Sequence, residues 1–477
     1  MGIGRNVIAA TLAVSLAACG GGDSSSSNNF TASPTPTPPS TGGTCSLASR
    51  QQWAREQIEE WYLFPDLLDL SVDPAAFTSV NGYINALVAP ARAQSRDRFF
   101  TYVTSIEEEN AFFASGSTAG FGIRLSYDTA NNRVFVLEAF ENAPAFASGF
   151  DRGTEIIALG ERPGALEDVG TIMAAEGPQG IVDRLGPSDA GVTRSFRIRP
   201  RGGAVTAVTV SKADFPLDPV SDRYGAQVLN DGGKLVGYIN LRTFIDTAES
   251  DLRTAYDAFR QQGVREVIVD FRYNGGGLVR TAELMGDLMG AGRVGSTFSF
   301  TTFRPSKSEN NVTEPFEQVS QAIAPTKIAF IGRGGTASAS ELVANSFIPY
   351  LGNNTALIGE NTFGKPVGQI GLDQPECDDR LRVVAFQSQN VNGEGEYFTG
   401  LASVFPQTCE AADDVSNQLG DPAEASVAKA LGFLRGETCS AIAGTNGEQG
   451  VRSVGPRQQL LQAAEPTVAQ RETPGLF

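Results

Sequence analysis

Between Leu235 and Ile358 the chain alternates short apolar runs with runs of helical spacing, and this alternation limits the fold more than any other feature. Leu235 to Leu241, Val267 to Phe271, Lys327 to Ile331 and Thr355 to Ile358 are predominantly apolar and of strand length. Ala248 to Gln262, Leu278 to Met289 and Ala339 to Leu351 lie between them with apolar residues at helical intervals. Strands that read apolar throughout are buried on both faces, and strand–helix alternation builds a parallel sheet with helices packed on it. The expected fold class is therefore α/β.

Two glycine-rich turns follow these strands. Asp270-Phe271-Arg272-Tyr273-Asn274-Gly275-Gly276-Gly277 closes the second run, and Gly332 to Gly335 leads from the third into Thr336-Ala337-Ser338-Ala339-Ser340-Glu341. Glycines leave backbone N–H groups open to an oxygen, and a helix start favours developing negative charge. Ser338, just before the helical run, is thus a candidate nucleophile. An N-cap serine, Ser338 or Ser340, would satisfy the same local pattern.

The base is narrowed by composition, because the chain has no histidine. A Ser-His-Asp triad is excluded, and a desolvated lysine is the usual substitute. Lys365 is one of only six lysines and stands between Gly364 and Pro366, shortly after the fourth apolar run. To act near neutral pH its amine must fall about 3 units from the reference value, roughly 4 kcal/mol supplied by burial. Gln369, four residues on, can fix that amine by hydrogen bonding. Gly359 to Lys365 also has the G-x-x-x-x-G-K spacing of a phosphate loop, but Pro366 offers neither a hydroxyl for magnesium nor an amide proton. Nucleotide is not an expected ligand. With no histidine and no CxxC pair, a zinc site is not expected either, and no cofactor is called for.

At 477 residues the chain is long enough for two or three domains. A formal charge of -17 argues against a nucleic-acid partner, which needs clustered cations. Residues 1–19 read as an export signal: Arg5 is the positive start, Val7 to Ala18 is apolar, and small residues precede Cys19. Leu16-Ala17-Ala18-Cys19 resembles a bacterial lipobox, in which the cysteine is lipidated, and Gly20 after it favours the outer membrane. Residues 20–44, rich in Gly, Ser, Thr and Pro, read as a disordered linker. Residues 45–114 read as a helical region, and 115–213 as a β-rich domain of short strands separated by turns. Residues 214–439 form the α/β core, and 440–477, poor in large apolar residues, read as a disordered tail.

Gly120-Phe121-Gly122-Ile123, before the first strand pattern of the β-rich domain, resembles the carboxylate-binding loop of PDZ domains. A turn entering a strand would look the same. If Cys19 is lipidated, Cys45, Cys377, Cys409 and Cys439 remain, an even number that fits a pair of disulfides in an exported chain. Three pairings are open. Cys377 with Cys409 and Cys45 with Cys439 is favoured, since it would fasten the two ends of the body.

The three segments around Gly275, Ser338 and Lys365, in this order, resemble the carboxyl-terminal processing, or tail-specific, serine protease family. The resemblance runs from Trp53 to about Gly432 and includes Tyr397-Phe398-Thr399-Gly400-Leu401. It implies a Clp-protease/crotonase-like catalytic core, an inserted or preceding PDZ-like domain and a small N-terminal helical region. It also implies Ser338 as nucleophile, Lys365 as general base and Gln369 as the residue orienting the lysine. The N–H groups of Ala339 and of Gly275 or Gly276 would form the oxyanion hole, and Gly120 to Ile123 would take the apolar C-terminus of a polypeptide substrate. Two departures stand out: Gly-Lys-Pro replaces the usual Gly-Lys-Gly, and the Ser338–Lys365 interval is about two residues longer than usual. The alternatives are a catalytically silent scaffold that binds C-terminal peptides, or other acyl chemistry on the same core.

Overall fold

The computed structural model describes residues 45–443 and 458–477. The four apolar runs become strands Lys234–Asn240, Glu266–Asp270, Lys327–Gly332 and Thr355–Gly359, parallel and adjacent in that order. Ala226–Asp231 adds an antiparallel edge and Thr408–Glu410 a parallel one, completing a six-stranded sheet. Side chains alternate across such a sheet. Val267, Val269, Ile328 and Phe330 accordingly face helices Ala248–Gln261, Val279–Met289 and Ala339–Leu351. Ile268, Ala329 and Ile331 face helix Ala425–Arg435 on the other side. Helix Ala248–Gln261 presents Leu252, Ala255, Tyr256 and Phe259 at i, i+3, i+4 and i+7, the stripe that buries against a sheet.

The N-terminal region is not wholly helical. Helices Leu47–Trp61 and Val80–Leu87 are followed by strand Tyr102–Ser105, which pairs with Asp379–Gln389 in a second sheet. Ala54, Ile58, Ile84 and Leu87 pack on Leu381, Val383 and Val384 of that strand, so this region shares a core with the chain around Val367.

The β-rich domain is an insertion. Strands Ser117–Gly120 and Ala213–Pro216 pair antiparallel where the chain enters and leaves it. Inside, Ile123–Asp128, Arg133–Ala139, Glu155–Gly160, Thr193–Arg199 and Thr206–Ser211 form one sheet over helix Val169–Leu185, which breaks at Gly177.

Two further expectations are corrected. The disulfides are Cys45–Cys377 and Cys409–Cys439, not Cys377–Cys409 and Cys45–Cys439. Helix Leu47–Trp61 starts beside strand Asp379–Gln389, where Arg50 pairs with Asp379, which brings Cys45 to Cys377. Helix Ala425–Arg435 returns the chain along the last core strand, where Glu410 N donates to Ser440 O at 2.8 Å, which brings Cys439 to Cys409. Nor is 440–477 a disordered tail throughout. Residues 458–477 contain strand Gln459–Leu460 and helix Val468–Glu472, and Leu461, Leu476 and Phe477 are buried. Large apolar residues are few there, but these three are placed to reach a neighbouring core. The export signal with Cys19, and the linker, lie outside the described residues.

Candidate active site

The two glycine turns stand side by side at the carboxyl ends of adjacent parallel strands, where α/β sheets bind their ligands. The first is anchored by charge. Asp270, fully buried, accepts from Tyr238 Oη at 2.8 Å and Arg272 Nε at 3.0 Å, and Arg272 makes two 2.9 Å bonds to Glu424. Breaking one partner of such a network leaves a buried charge unpaired, so the strand end is firmly held. Asn274 then donates to Leu241 O at 2.8 Å and accepts the Gly276 N–H at 2.9 Å. Gly276 and Gly277 have φ of 123° and 130°, which only glycine adopts readily.

The second turn is tied to the first. Thr336 Oγ1 donates to Phe271 O at 2.8 Å, and Ala337 N and Ser340 Oγ both donate to Asn274 O, at 3.1 and 3.2 Å. This separates the two serines. Ser340 is fully buried and spent on the turn, whereas Ser338 is half-buried at the helix start with φ 56°, an uncommon conformation for a non-glycine residue. Its side chain lies against Gly276, where an added Cβ would fall 2.7 Å from Ser338 Cβ and 3.2 Å from Oγ.

Glu341 joins Ser338 to Lys365. Its carboxylate is completely buried and accepts from Ser338 N at 3.1 Å and Lys365 N at 2.7 Å on one oxygen. The other oxygen accepts from Gly364 N at 2.7 Å and Thr362 Oγ1 at 2.5 Å. Desolvation pushes this carboxyl above the usual range, and its hydrogen bonds oppose the shift. The amides that a phosphate loop would offer to phosphate are thus turned inward to a protein carboxylate. Glu341 was visible in the sequence only as the Glu three residues after a helix-start serine, the capping-box signature. Its second role, holding the Lys365 loop, requires the fold.

The Lys365 side chain points back toward the strand that follows. Nζ donates to Gln369 Oε1 at 2.8 Å and lies 4.9 Å from the centre of the Phe100 ring. Gln369 Nε2 in turn donates to Phe100 O, which fixes which face of the amide meets the lysine. Burial pushes the amine below the ordinary lysine value, opposed by the carboxylates of Glu472 and Asp97. Arg98, which sequence reading passed over, caps the loop by donating to the carbonyls of Phe363 and Gly364. Between Ser338 and Lys365 the chain runs through helix Ala339–Leu351, the short turn Gly352–Asn354 and strand Thr355–Gly359.

Of the proposed oxyanion donors, Ala339 N begins the helix after Ser338 and Gly275 N donates to Glu472 O at 2.9 Å, while Gly276 N is engaged by Asn274. Lys365, Gly275, Gly335 and Ala337 line one cavity of about 920 Å³ together with Phe100 and Phe363. Of the Gly120–Ile123 loop, Phe121 is buried in the core of the β-rich domain, and Gly122 and Ile123 direct their N–H groups to Phe477 O.

Residues 235–400, which hold both turns, Ser338 and Lys365, match the model of Peptidase family S41. Carboxyl-terminal-processing peptidase 3, chloroplastic, of Arabidopsis thaliana is 27% identical over 278 residues, 56% of this chain and 50% of that protein. Carboxy-terminal processing protease CtpA of Bacillus subtilis is 25% identical over 345 residues, 72% of this chain and 65% of that one. The chain thus spans about half to two thirds of the length of these relatives. The solved putative S41 protease from Bacteroides fragilis has the same fold, with a TM-score of 0.61 at 20% identity over 80% of this chain and 97% of that one. The segment that holds both glycine turns, Ser338 and Lys365 thus matches peptidase family S41, and the chain is similar to carboxyl-terminal-processing proteases.

Proposed function

We propose that this protein is a serine endopeptidase that cleaves exported polypeptides near their C-termini, with Ser338 as nucleophile and Lys365 as general base. The observation that carries the reading is the Glu341 carboxylate, which holds the backbones of both residues while burial lowers the affinity of the Lys365 amine for its proton. Neutral Lys365 takes the Ser338 hydroxyl proton as Oγ attacks a peptide carbonyl, and Gln369 keeps the amine aimed. The carbonyl oxygen, now negative, is met by the N–H groups of Gly275 and Ala339 at the positive end of the helix. Lys365 returns the proton to the leaving amine, and water then releases the acyl group from Ser338.

The edge strand beginning at Ile123 supplies main-chain groups for an added peptide strand, in PDZ fashion, and Gly122 N and Ile123 N meet its last oxygen. The domain's apolar core beneath favours an apolar end. Arg5, the run Val7 to Ala18 and Cys19 support export and a lipid anchor on the periplasmic side of the outer membrane. Two disulfides agree with an oxidising compartment. The test is incubation of an unstructured protein ending in apolar residues with the wild-type chain and with Ser338→Ala, read by mass spectrometry of the fragments. Wild type should cut it and Ser338→Ala should bind it uncut; equal cutting by both would overturn the assignment.

A further inference from the structure

Residues 458–477 run along both halves of this substrate path. One piece extends the sheet of the β-rich domain, antiparallel to its edge strand: Gln459 and Leu460 stand opposite Tyr127 and Ser126, and Leu461 N donates to Leu125 O at 2.9 Å. A second piece continues along the same strand. Leu125 N donates to Gly475 O at 2.8 Å, Phe477 N to Ile123 O at 2.9 Å, and Gly122 and Ile123 N to Phe477 O at 2.9 and 3.2 Å. Leu461 and Phe477 sink into the domain core at 0% and 3% exposure.

Between the two pieces the chain crosses the dyad. Glu472 O takes the Gly275 N–H at 2.9 Å, and a Cβ on Gly275 would fall 2.4 Å from Arg471 O, so the missing side chain is what admits this backbone. The Glu472 side chain, buried, faces Lys365 closely enough for each to favour the other's charged form. Arg124, also buried, donates to Pro474 O at 2.6 Å and to Tyr273 O at 2.8 Å, clasping the segment to the first glycine turn. The crossing piece is not laid out as a substrate. Val468–Glu472 is a helical turn capped by Thr467 and Gln470, whereas peptides added to a sheet edge are extended.

We propose that residues 458–477 are an intramolecular plug, filling the groove that takes the end of a substrate and laying Glu472 against Gly275 and Lys365, so that a polypeptide must displace it to be cut. The inference rests on the peptidase reading for its consequence but not for its binding. The plug is covalently continuous with the core. A segment so linked acts at an effective concentration on the order of millimolar, so a micromolar competitor displaces it from only a small fraction of molecules.

The test uses the full chain with a recognition site for a specific protease placed within residues 444–457, cut only after folding and dialysed. In the Ser338→Ala background, a fluorescent peptide with the sequence of residues 470–477 should bind at least about tenfold more tightly after the cut, as loss of the tether demands. With Ser338 present, hydrolysis of the unstructured protein should rise by a similar factor. Uncut Phe477→Asp should shift both readings in the same direction, which covers the case of a plug that stays seated. Tighter peptide binding with no hydrolysis in any form would keep the plug and sink the peptidase reading. Unchanged binding and hydrolysis in both the cut chain and Phe477→Asp would overturn the plug. So would removal of the segment by the intact wild-type chain but not by Ser338→Ala, since the segment would then be a substrate.

Discussion

Main-chain amides converge on oxygen in two places, and the contrast between them separates what builds the site from what occupies it. At Glu341 the acceptor belongs to the helix that carries Ser338, is fully buried, and satisfies three amides and a hydroxyl from two loops. At Gly122, Ile123 and Gly275 the acceptors are the carbonyls of Phe477 and Glu472, in the segment proposed to be displaceable. Donors satisfied internally fix geometry. Donors satisfied by a removable segment are available to any backbone that can replace it.

The largest expected effect falls on the proposed base. Lys365→Met should remove hydrolysis, a loss on the order of ten-thousandfold or more by analogy with deletions in Ser-His-Asp triads. It should also stabilise the protein at neutral pH. The sign follows from linkage: the folded state lowers the Lys365 pKa, so the charged amine is disfavoured on folding below that pKa, and stability recovers only as pH rises toward the unfolded value. A lower Tm for Lys365→Met at pH 7 would contradict this, and a calorimetric scan would show it. In wild type, kcat/KM should climb with pH as the amine loses its proton.

Glu341→Gln comes next. The amide must present a donor to groups that are themselves donors, leaving at least one buried N–H or O–H unmatched at about 1–3 kcal/mol. A chemical-denaturation midpoint should fall accordingly. Activity should drop about a hundredfold, because a small misplacement of nucleophile and base is costly. Unchanged activity would show that the two backbones are positioned by something other than this carboxylate.

Gly122→Ala strikes the other region. Gly122 has φ 71°, and a Cβ there would lie 1.9 Å from Ala143 Cβ, so the loop must shift and its N–H with it. In the chain cut within residues 444–457 and freed of the plug, KM for a long substrate should rise about tenfold, a loss of roughly one good hydrogen bond, while kcat for a short ester that does not reach the β-rich domain stays unchanged. A fall in that kcat would mean that the two regions are not separable.

The smallest effect lies outside both. Burial, then Glu314, Asp287 and Glu317, push Glu283 up to about 7. A raised carboxyl binds its proton more readily when folded, so stability increases as pH falls from about 7 toward the unfolded value. Glu283→Gln should therefore stabilise the chain by about 1 kcal/mol at pH 8, after allowance for solvent screening, and by little at pH 4. Equal shifts at both pH values would refute the titration.

The sheet and the residue types at its turns could be read from the chain before any fold was known. The parallel strands were legible because burial on both faces leaves no polar alternation, and the helices because their apolar stripes repeat at helical spacing. Absence of histidine and the company of Gly364 and Pro366 singled out Lys365, and the helix start singled out Ser338. Tertiary structure alone decided the rest, since those features depend on residues far apart in the chain. Which of Ser338 and Ser340 is spent on the turn follows from the approach of Asn274 O. The role of Glu341 needs the loop at Thr362 to Lys365 folded back on it. The cysteine pairing follows from which helix returns beside which strand, a matter on which spacing is silent. The ordering of 458–477 had the weakest local signal, because a segment too poor in apolar residues to form a core can still lend Leu461, Leu476 and Phe477 to one already built.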